Sequence, residues 1–326
     1  MNAKKVIIDC DPGIDDTLAL MLALSSPELD VLGITVVSGN VPVEKGAENA
    51  LKVLDWMNRK DIPVYLGEPL PLVRNYVDAM DTHGDDGLGE SNYPTITDIR
   101  PHTDAVGFLR DTLLHTPHVS VIALGPLTNL ARLYQISPEA FAQIEEMVSM
   151  GGNYKSHGNC SPVAEYNYWC DPDAAHIVYE AFASMEGKLL HMIGLDVTRQ
   201  IVLTPNILQY MRYTNPVMGE RITNITKFYL DFHWKQEGII GCVINDPLAV
   251  AYFIDRNLCQ GFASYATVET QGISIGQTLV DTYHFWNKPD NSYILTQTDA
   301  YGFMKFFLQR VINAPESKIE RILKTI

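Results

Sequence analysis

Four carboxylates lie within eight residues near the amino terminus, in the segment Asp-Cys-Asp-Pro-Gly-Ile-Asp-Asp at positions 9–16. Like charges at contact distance raise one another's pKa, so a site that keeps all four ionised at neutral pH needs compensating positive charge. No Lys or Arg lies between Lys5 and Lys45. The first turn of a following helix offers partial positive charge, and a divalent metal ion offers far more. Because oxygen ligands favour hard ions, the segment predicts a Ca²⁺ or Mg²⁺ site rather than a zinc site.

A capped helix is the structural alternative for this segment, since Pro-Gly turns followed by solvated acids are common. Residues 6–8 are apolar and predict a strand buried on both faces, which Asp9 extends before the turn. Ligand sites of parallel α/β sheets form at the carboxyl ends of the strands, where these acids fall. We therefore favour the metal site over the simple cap.

Apolar runs alternate with helical patterns along the chain, which predicts parallel βαβ units. The expected strands are 6–8, 31–37, 64–66, 119–124 and 147–150, and the expected helices are 17–25, 43–59, 300–312 and one after Pro315. Residues 70–102 show neither period and predict a long loop of the kind that is usually functional or mobile; residues 225–242 are also treated as a loop. No linker or repeat divides the chain, so we expect one domain over residues 1–326.

The amino-acid composition limits the classes of binding partner and indicates the cell compartment. Acidic residues outnumber basic ones 39 to 24 over 326 residues, a net charge of −15, which disfavours nucleic acid and anionic membranes as partners. No apolar run approaches the length of a membrane span, and the first residues do not resemble a signal peptide. Five cysteines without paired spacing predict a reducing compartment, and hence a cytoplasmic protein.

Polar side chains recur just after predicted strands, which indicates a pocket at one edge of the sheet. The candidates for binding a substrate there are Asn40, Asn153, Asn159, Glu165 and Asn167. Amide and carboxylate groups suit the vicinal hydroxyls of a sugar, although an Asx-rich loop with its polar groups in water gives the same pattern. Further along, Asp246 before Pro247 is either a helix N-cap or a distant metal ligand, and spacing does not decide between the two.

Together these segments resemble the ribonucleoside hydrolases of the inosine-uridine preferring type. The shared motifs run in order from residue 6 to about 285: the octet at 9–16, Gly-Asn at 39–40, His-Gly-Asp-Asp-Gly-Leu at 83–88, Leu-Gly-Pro-Leu-Thr-Asn at 124–129, Met-Gly-Gly-Asn at 150–153, Ala-Glu-Tyr-Asn at 164–167 and Asn-Asp-Pro at 245–247. The resemblance implies a single open α/β domain with a mostly parallel, Rossmann-like central sheet flanked by helices. It also implies a homodimer or homotetramer that hydrolyses the N-glycosidic bond of ribonucleosides to free nucleobase and ribose.

The resemblance also implies roles for individual residues. Ca²⁺ would be bound by the carboxylates of Asp11, Asp16 and Asp246 and by the main-chain carbonyl of Leu124. Asp15 would take a proton from the metal-bound water. The ribose would be held by Asn40, Asn159, Glu165 and Asn167, and Asp9 would lie behind the metal ligands as a hydrogen-bond acceptor.

The chain departs from the family pattern at position 245. Many relatives carry His immediately before the distal metal-binding Asp, where it protonates the departing base, whereas this chain has Asn245. An amide has no proton to give at neutral pH. The side chains that could assist departure instead are His83, His233 and Tyr229 as donors, with Trp169 or Trp234 as stacking partners.

Two other functions remain alternatives from the sequence. The octet faintly resembles the start of the haloacid-dehalogenase phosphatases, in which Asp9 would be a nucleophile and Mg²⁺ the cofactor, but their downstream Lys and late acidic pair are not recognisable. A non-catalytic nucleoside or pentose binding protein would keep the sugar-binding side chains and could lose the base. The presence of Asp15 favours hydrolysis.

Overall fold

The computed structural model describes residues 3–324 of the chain. Its strands are β1 (Lys4–Cys10), β2 (Leu29–Val36), β3 (Val64–Leu66), β4 (Val119–Ala123), β5 (Met147–Met150), β6 (Leu190–Ile193), β7 (Val202–Leu203), β8 (Cys242–Val243), β9 (Cys259–Ser264), β10 (Ala266–Val268), β11 (Thr278–Val280) and β12 (Ser292–Thr298). Its α-helices are α1 (Ile14–Leu24), α2 (Val43–Trp56), α3 (Met80–His83), α4 (Ala105–His115), α5 (Thr128–Ile136), α6 (Pro138–Phe141), α7 (Tyr166–Cys170), α8 (Pro172–Ala183), α9 (Leu195–Thr198), α10 (Pro205–Thr214), α11 (Pro216–Glu237), α12 (Asp246–Ile254), α13 (Ala300–Val311) and α14 (Glu316–Leu323). Short 3₁₀ turns cover Arg256–Leu258 and Gly272–Ser274.

A central sheet of eight strands organises the described residues, in the order β3-β2-β1-β4-β5-β6-β12-β9. Every neighbouring pair is parallel except β12 and β9, which run antiparallel at one edge. The expectation of a mostly parallel α/β sheet flanked by helices is therefore confirmed. In the middle of the sheet, Asp9 on β1 pairs with Thr35 on one side and Ala123 on the other.

The local elements agree with the sequence patterns in most places. The strands expected at 64–66 and 147–150 have those bounds, while the expected strand at 6–8 is longer and the helix expected at 17–25 already begins at Ile14. Residues 70–102 are irregular apart from α3. The treatment of 225–242 as a loop was wrong, because most of it belongs to α11, which Asn215 caps through a side-chain hydrogen bond to the Met218 amide.

Two buried helices bring acidic residues from distant parts of the chain together. Helix α1 is buried from Ile14 to Ala23 and packs against α12, which is buried from Asp246 to Phe253. Beyond their first turns, both helices are apolar around their whole circumference, as expected for helices enclosed in a core. Their carboxylates lie in the first turns, so the two amino-terminal ends carry the acids to the same edge of the sheet.

Two further expectations concern membranes and cysteines. Within residues 3–324, no helix is both long enough and apolar enough to cross a bilayer. The cysteines Cys10, Cys160, Cys170, Cys242 and Cys259 are all free thiols.

His191 on β6 gives the fold a pH-dependent component of stability. Its Nδ1 lies 2.9 Å from the Tyr252 hydroxyl, and burial, with a smaller contribution from Arg256, lowers its pKa from 6.5 to about 4. The unfolded chain therefore binds more protons between pH 4 and 6.5, and the free energy of unfolding falls as the pH falls through this window, by roughly 3 kcal/mol in total.

The substitution His191→Gln tests this expectation, since Gln retains a hydrogen-bonding group but does not titrate. We expect the wild type to lose about 2 kcal/mol more stability than the variant between pH 7 and pH 4.5. Urea unfolding with EDTA present measures both losses without interference from metal binding. Equal losses in the two proteins would remove His191 from this role.

Candidate active site

A cavity of about 550 Å³ opens at the carboxyl edge of the sheet, where the central strands end. Of the side chains indicated by the sequence, those that line it are Asp15, Asn40, His83, Leu124, Asn159, Glu165, Asn167, Trp169, Tyr229, His233, Asn245 and Asp246. Asp9, Asp11 and Asp16 are buried next to these residues but are not part of the lining. The structure thus gathers residues from positions 9 to 246 around one cavity.

Three carboxylates form the centre of the site. Oxygen atoms of Asp15, Asp16 and Asp246 all lie within 4.8 Å of one another, and all three residues are buried. The amino-terminal ends of α1 and α12 point at this group and supply partial positive charge. Burial, and then the neighbouring Asp15, raise the pKa of Asp246 well above its ordinary value. Within residues 3–324 no donor forms a hydrogen bond with the Asp246 carboxylate.

Asp11 and Asp16 are held by backbone and amide donors. Asp16 accepts hydrogen bonds from the amides of Asp11 and Gly13, each at 3.1 Å, and from Nδ2 of Asn40 at 3.0 Å. Asp11 Oδ2 accepts from the Asn40 amide at 2.7 Å, while its Oδ1 is buried without a partner in the described chain. Burial and the adjacent carboxyl groups raise the pKa of Asp16 to about 7 and that of Asp11 well above its ordinary value.

Two glycines make room for the Asp11 carboxylate. A Cβ atom at Gly39 would overlap Asp11 Oδ2, and a Cβ atom at Gly125 would overlap Asp11 Oδ1. Both glycines follow strands of the sheet, after β2 and β4. Any larger residue at either position would displace the carboxylate, so the Gly-Asn and Leu-Gly-Pro motifs act by leaving space for it.

The acidic group, formed by the carboxylates of Asp11, Asp15, Asp16 and Asp246, has the properties of a site for a hard divalent cation. Within residues 3–324, Asp11 Oδ1 is buried without a hydrogen-bond partner, which is costly unless positive charge is present. The Asp246 carboxylate, at the cavity lining, accepts no hydrogen bond from these residues either. Leu124 lines the cavity, and its carbonyl accepts a hydrogen bond from Asn167 Nδ2 at 2.7 Å, which leaves its second lone pair available. The atoms that could coordinate a metal here are all oxygens, and the residues present therefore fit a hard cation.

Asp15 is oriented by three donors on one oxygen. Its Oδ2 accepts from the amide nitrogen of Asn245 at 3.2 Å, from Asn245 Nδ2 at 3.0 Å and more weakly from the Tyr229 hydroxyl at 3.5 Å. In residues 3–324, Asp15 Oδ1 accepts no hydrogen bond. Asp15 thus presents one free carboxylate oxygen at the cavity wall.

The opposite wall carries the side chains expected to bind sugar. Glu165 caps α7 and accepts from the amides of Gly152 and Asn167, both at 2.8 Å, and of Tyr168 at 3.2 Å. Burial raises the pKa of Glu165 to about 7 despite these donors. Asn159 is exposed at the cavity mouth, where its Oδ1 accepts from the Tyr166 amide at 2.9 Å.

The two histidines of the cavity are held in opposite tautomers by backbone groups. Nδ1 of His83 accepts the Ile14 amide hydrogen at 3.0 Å, which places the proton of neutral His83 on Nε2. Nδ1 of His233 lies 2.9 Å from the Tyr229 carbonyl and donates to it, which leaves Nε2 of neutral His233 as an acceptor. Burial lowers the pKa of both rings.

Comparison with known proteins decides the family. Residues 6–305 match the sequence model of the inosine-uridine preferring nucleoside hydrolases. The chain is 34% identical over 312 residues to the pyrimidine-specific ribonucleoside hydrolase RihA of Escherichia coli O81 (strain ED1a), which covers 95% of this chain and 98% of RihA. The chain belongs to this family.

Two further comparisons agree with the assignment to the nucleoside hydrolases. The pyrimidine-specific ribonucleoside hydrolase RihB of Escherichia coli O157:H7 is 34% identical over 93% of this chain and 95% of its own length. The structure of the purine-preferring ribonucleoside hydrolase from Gardnerella vaginalis superimposes with a TM-score of 0.87 at 31% identity, covering 95% of this chain and 98% of that one. The chain is accordingly a ribonucleoside hydrolase, a class of enzyme that cleaves N-glycosidic bonds.

Three side chains singled out in the sequence, Asn153, Trp169 and Trp234, lie differently from what we expected. Asn153 does not line the cavity, because Gly152 takes a left-handed conformation with φ of 71° and the Asn153 amide donates to the Ser156 carbonyl. Trp234 is 59% exposed on α11 and also lies outside the lining. Trp169 does line it, but the Arg74 guanidinium lies 3.9 Å from the centre of its ring and occupies one face. Only the other face could stack on a base.

The nucleoside hydrolase cavity is also lined by one face of α11, of which the sequence analysis identified only Tyr229 and His233. Tyr229, Phe232, His233, Gln236 and Glu237 all line the cavity from α11. Their spacing of three and four residues places them on one side of a helix. The sequence contains this helical periodicity, but it was not used because the segment was treated as a loop.

Asp9 is buried on β1 and does not line the cavity. Its Oδ1 accepts from the Thr35 hydroxyl at 2.5 Å and from Asn129 Nδ2 at 2.8 Å, while Oδ2 is buried without a partner in the described residues. Burial raises the pKa of Asp9 to about 7.

Proposed function

We propose that this chain hydrolyses ribonucleosides in a calcium-dependent reaction with Asp15 as the general base. The observation that carries the proposal is the cluster of buried carboxylates beside the cavity, in which Asp11 Oδ1 and the Asp246 carboxylate accept no hydrogen bond from any donor of residues 3–324. Asp11, Asp16 and Asp246, with the Leu124 carbonyl, would hold the ion. Ca²⁺ suits a mixed set of carboxylate and carbonyl oxygens better than Mg²⁺, which demands stricter geometry.

A bound Ca²⁺ ion would supply positive charge that keeps these carboxylates ionised and makes water in the cavity more acidic. Asp15 then accepts the proton of the attacking water on Oδ1, since Oδ2 is engaged by Asn245 and Tyr229. The surrounding carboxylates stabilise the positive charge that develops on the ribosyl group as the C1′–N bond breaks. A carboxylate base is needed because calcium acidifies water less than zinc does.

The ribose would lie between the acidic group and the Glu165 wall. Asn167 donates its amide hydrogens to the carbonyls of Leu124 and Met150, which leaves its Oδ1 as an acceptor for a hydroxyl group. Asn40 lies on the acidic side, because its backbone amide donates to Asp11 and its side-chain amide donates to Asp16. Asn159 at the mouth would complete the set of amides around the sugar.

The nucleobase would lie towards α11 and His83. His83 can donate a hydrogen bond from Nε2 and His233 can accept one, so both can orient a base. Relatives with similar identity are named pyrimidine-specific or purine-preferring, and we assign no base preference from them. A single domain, a homodimer or homotetramer and a cytoplasmic location complete the proposal; the free cysteines support a reducing compartment.

Product analysis with and without a chelator tests this function. The protein is stripped with EDTA, and inosine, uridine and cytidine are each incubated with it before and after Ca²⁺ is restored. We expect equal amounts of reducing sugar and free base, only in the presence of Ca²⁺. Release that is undiminished in EDTA would refute calcium dependence, and absence of release with binding retained would refute hydrolysis.

Replacing Asn245 by His tests the absence of a leaving-group acid at this position. The Asn245 side chain donates to Asp15 and Tyr229 and has no proton for a base. We expect Asn245→His to raise kcat on at least one neutral nucleoside by about tenfold or more, within the range typical of general acid catalysis. Steady-state kinetics with Ca²⁺ measures this, and no gain on any nucleoside would show that departure is assisted elsewhere.

A further inference from the structure

The nucleobase end of the cavity has no side chain placed to protonate a departing base. Asn245 commits both of its hydrogen-bond donors to Asp15 and Tyr229, and the Tyr229 hydroxyl donates to Asp15. Protonation of His83 at Nδ1 would break its hydrogen bond with the Ile14 amide. His233 uses its Nδ1 proton for the Tyr229 carbonyl, so only a cationic ring would carry a proton on Nε2.

The same region carries uncompensated negative charge. Asp78 and Asp81 line the cavity beside His83. Among residues 3–324, the Asp78 carboxylate accepts a hydrogen bond only from the Met80 amide, and the Asp81 carboxylate only from the Thr82 hydroxyl. Neither forms an ion pair within residues 3–324. The guanidinium of Arg199, which also lines the cavity, lies 3.6 Å from Glu237 and donates to the carbonyls of residues 157 and 158. It is therefore already compensated.

A metal ion would not reverse this charge. The four carboxylates of Asp11, Asp15, Asp16 and Asp246 carry four negative charges when ionised, and a divalent cation offsets two of them. Asp78 and Asp81 add to the remainder. Field lines concentrate in a cleft lined by one sign of charge, which raises the local concentration of oppositely charged ligands.

Aromatic side chains near the base are suited to a cation as well. Tyr229 and Phe232 line the cavity with rings that are 23° from parallel. Trp169 is not counted among them, because the Arg74 guanidinium already occupies one of its faces. Cations bind to such ring faces by attraction to the π electrons, and the attraction grows when the cation is desolvated.

We propose that the preferred substrates of this site are N-ribosides of cationic heterocycles, such as N-ribosylpyridinium or N7-alkylated purine ribosides. The inference rests on the proposed function, because it uses the same water, base and ribose site. The bond between C1′ and the ring nitrogen breaks and its electron pair neutralises the ring, while the water oxygen bonds to C1′ and the water proton passes to Asp15. The leaving heterocycle needs no proton, so the missing acid does not slow the reaction.

Matched pairs of substrates test the proposal on the full, Ca²⁺-loaded chain. The pairs are guanosine with 7-methylguanosine at pH 6, where the methylated base is cationic, and uridine with N-ribosylpyridinium. We expect kcat/KM, corrected for uncatalysed hydrolysis, to be at least tenfold higher for the cationic member of each pair. Binding to the Asp15→Asn variant, measured by calorimetry, should favour the cationic member by a similar factor.

The double variant Asp78→Asn/Asp81→Asn tests the origin of the preference. We expect its KM to rise at least fivefold more for the cationic member than for the neutral one, whereas Asp85→Asn, on the same loop but outside the cavity lining, changes neither. Equal kcat/KM within both pairs, or equal losses in the double variant, would overturn the proposal. Hydrolysis of guanosine and uridine would then still support the proposed function, whereas hydrolysis of none of the four compounds would refute that function itself.

Discussion

The substitution Asp15→Asn is expected to lower kcat by a factor of about 10² to 10⁴ while Ca²⁺ and ribose still bind, as is typical when a general base is lost. The amide has nearly the shape of the carboxylate, and its oxygen can still accept the Asn245 and Tyr229 hydrogen bonds that orient residue 15. It can no longer accept a proton from water. The variant therefore keeps the side chains that bind Ca²⁺ and ribose but lacks the general base.

Two measurements separate this explanation from simple misfolding. Calorimetric titration of Ca²⁺ should give the same stoichiometry as for the wild type, and single-turnover kinetics should show that the chemical step has slowed. Asp290→Asn, an exposed site, serves as a control for the change in charge. A wild-type rate in the Asp15→Asn variant would remove Asp15 from the role of base.

The substitution Asp11→Ala is expected to abolish Ca²⁺ binding and hydrolysis together. Asp11 supplies a buried oxygen without a donor, lies in a slot between Gly39 and Gly125, and accepts the Asn40 amide. Its removal takes one negative charge and one ligand from a set of three carboxylates and a carbonyl. Because calcium affinity depends on the number and charge of the ligands, we expect the affinity to fall by orders of magnitude.

Calorimetry and a product assay at saturating Ca²⁺ measure the two losses, with Asp290→Ala as the control for an exposed carboxylate. Circular dichroism confirms that the variant folds. Since Asp11 and Asp16 repel each other when no cation is present, the variant should be at least as stable as the wild type in EDTA. Undiminished turnover would exclude Asp11 from the metal site.

The local structure of the amino-terminal octet was predictable because neighbouring residues encode it. A buried strand, a Pro-Gly turn and a helix with an acidic first turn lie within sixteen residues, and the structure places Asp9 on β1 and Asp16 in the first turn of α1. Asp246 was ambiguous, since only the packing of α12 on α1 brings it within 4.8 Å of Asp15 and Asp16. That contact joins residues about 230 apart in sequence, which spacing does not reveal.

The features that the sequence did not predict also depend on contacts or turns in three dimensions. The order of the strands depends on which strand edges pair in three dimensions. Strand β9 was not predicted because it pairs antiparallel with β12, whereas the pattern of βαβ units predicts only parallel strands. Asn153 follows a strand like the other candidates, but the left-handed turn at Gly152 redirects it. The cavity face of α11 was missed because a helix with moderate hydrophobicity and many polar residues was read as a loop.

A crystal structure of the protein grown with Ca²⁺ and a non-hydrolysable ribose analogue tests the central claim most directly. We expect one ion at about 2.3–2.6 Å from oxygens of Asp11, Asp16, Asp246 and Leu124, with sugar hydroxyl groups beside it and Asp15 facing C1′. An ion bound elsewhere, or an acidic group that stays metal-free at saturating Ca²⁺, would contradict the account.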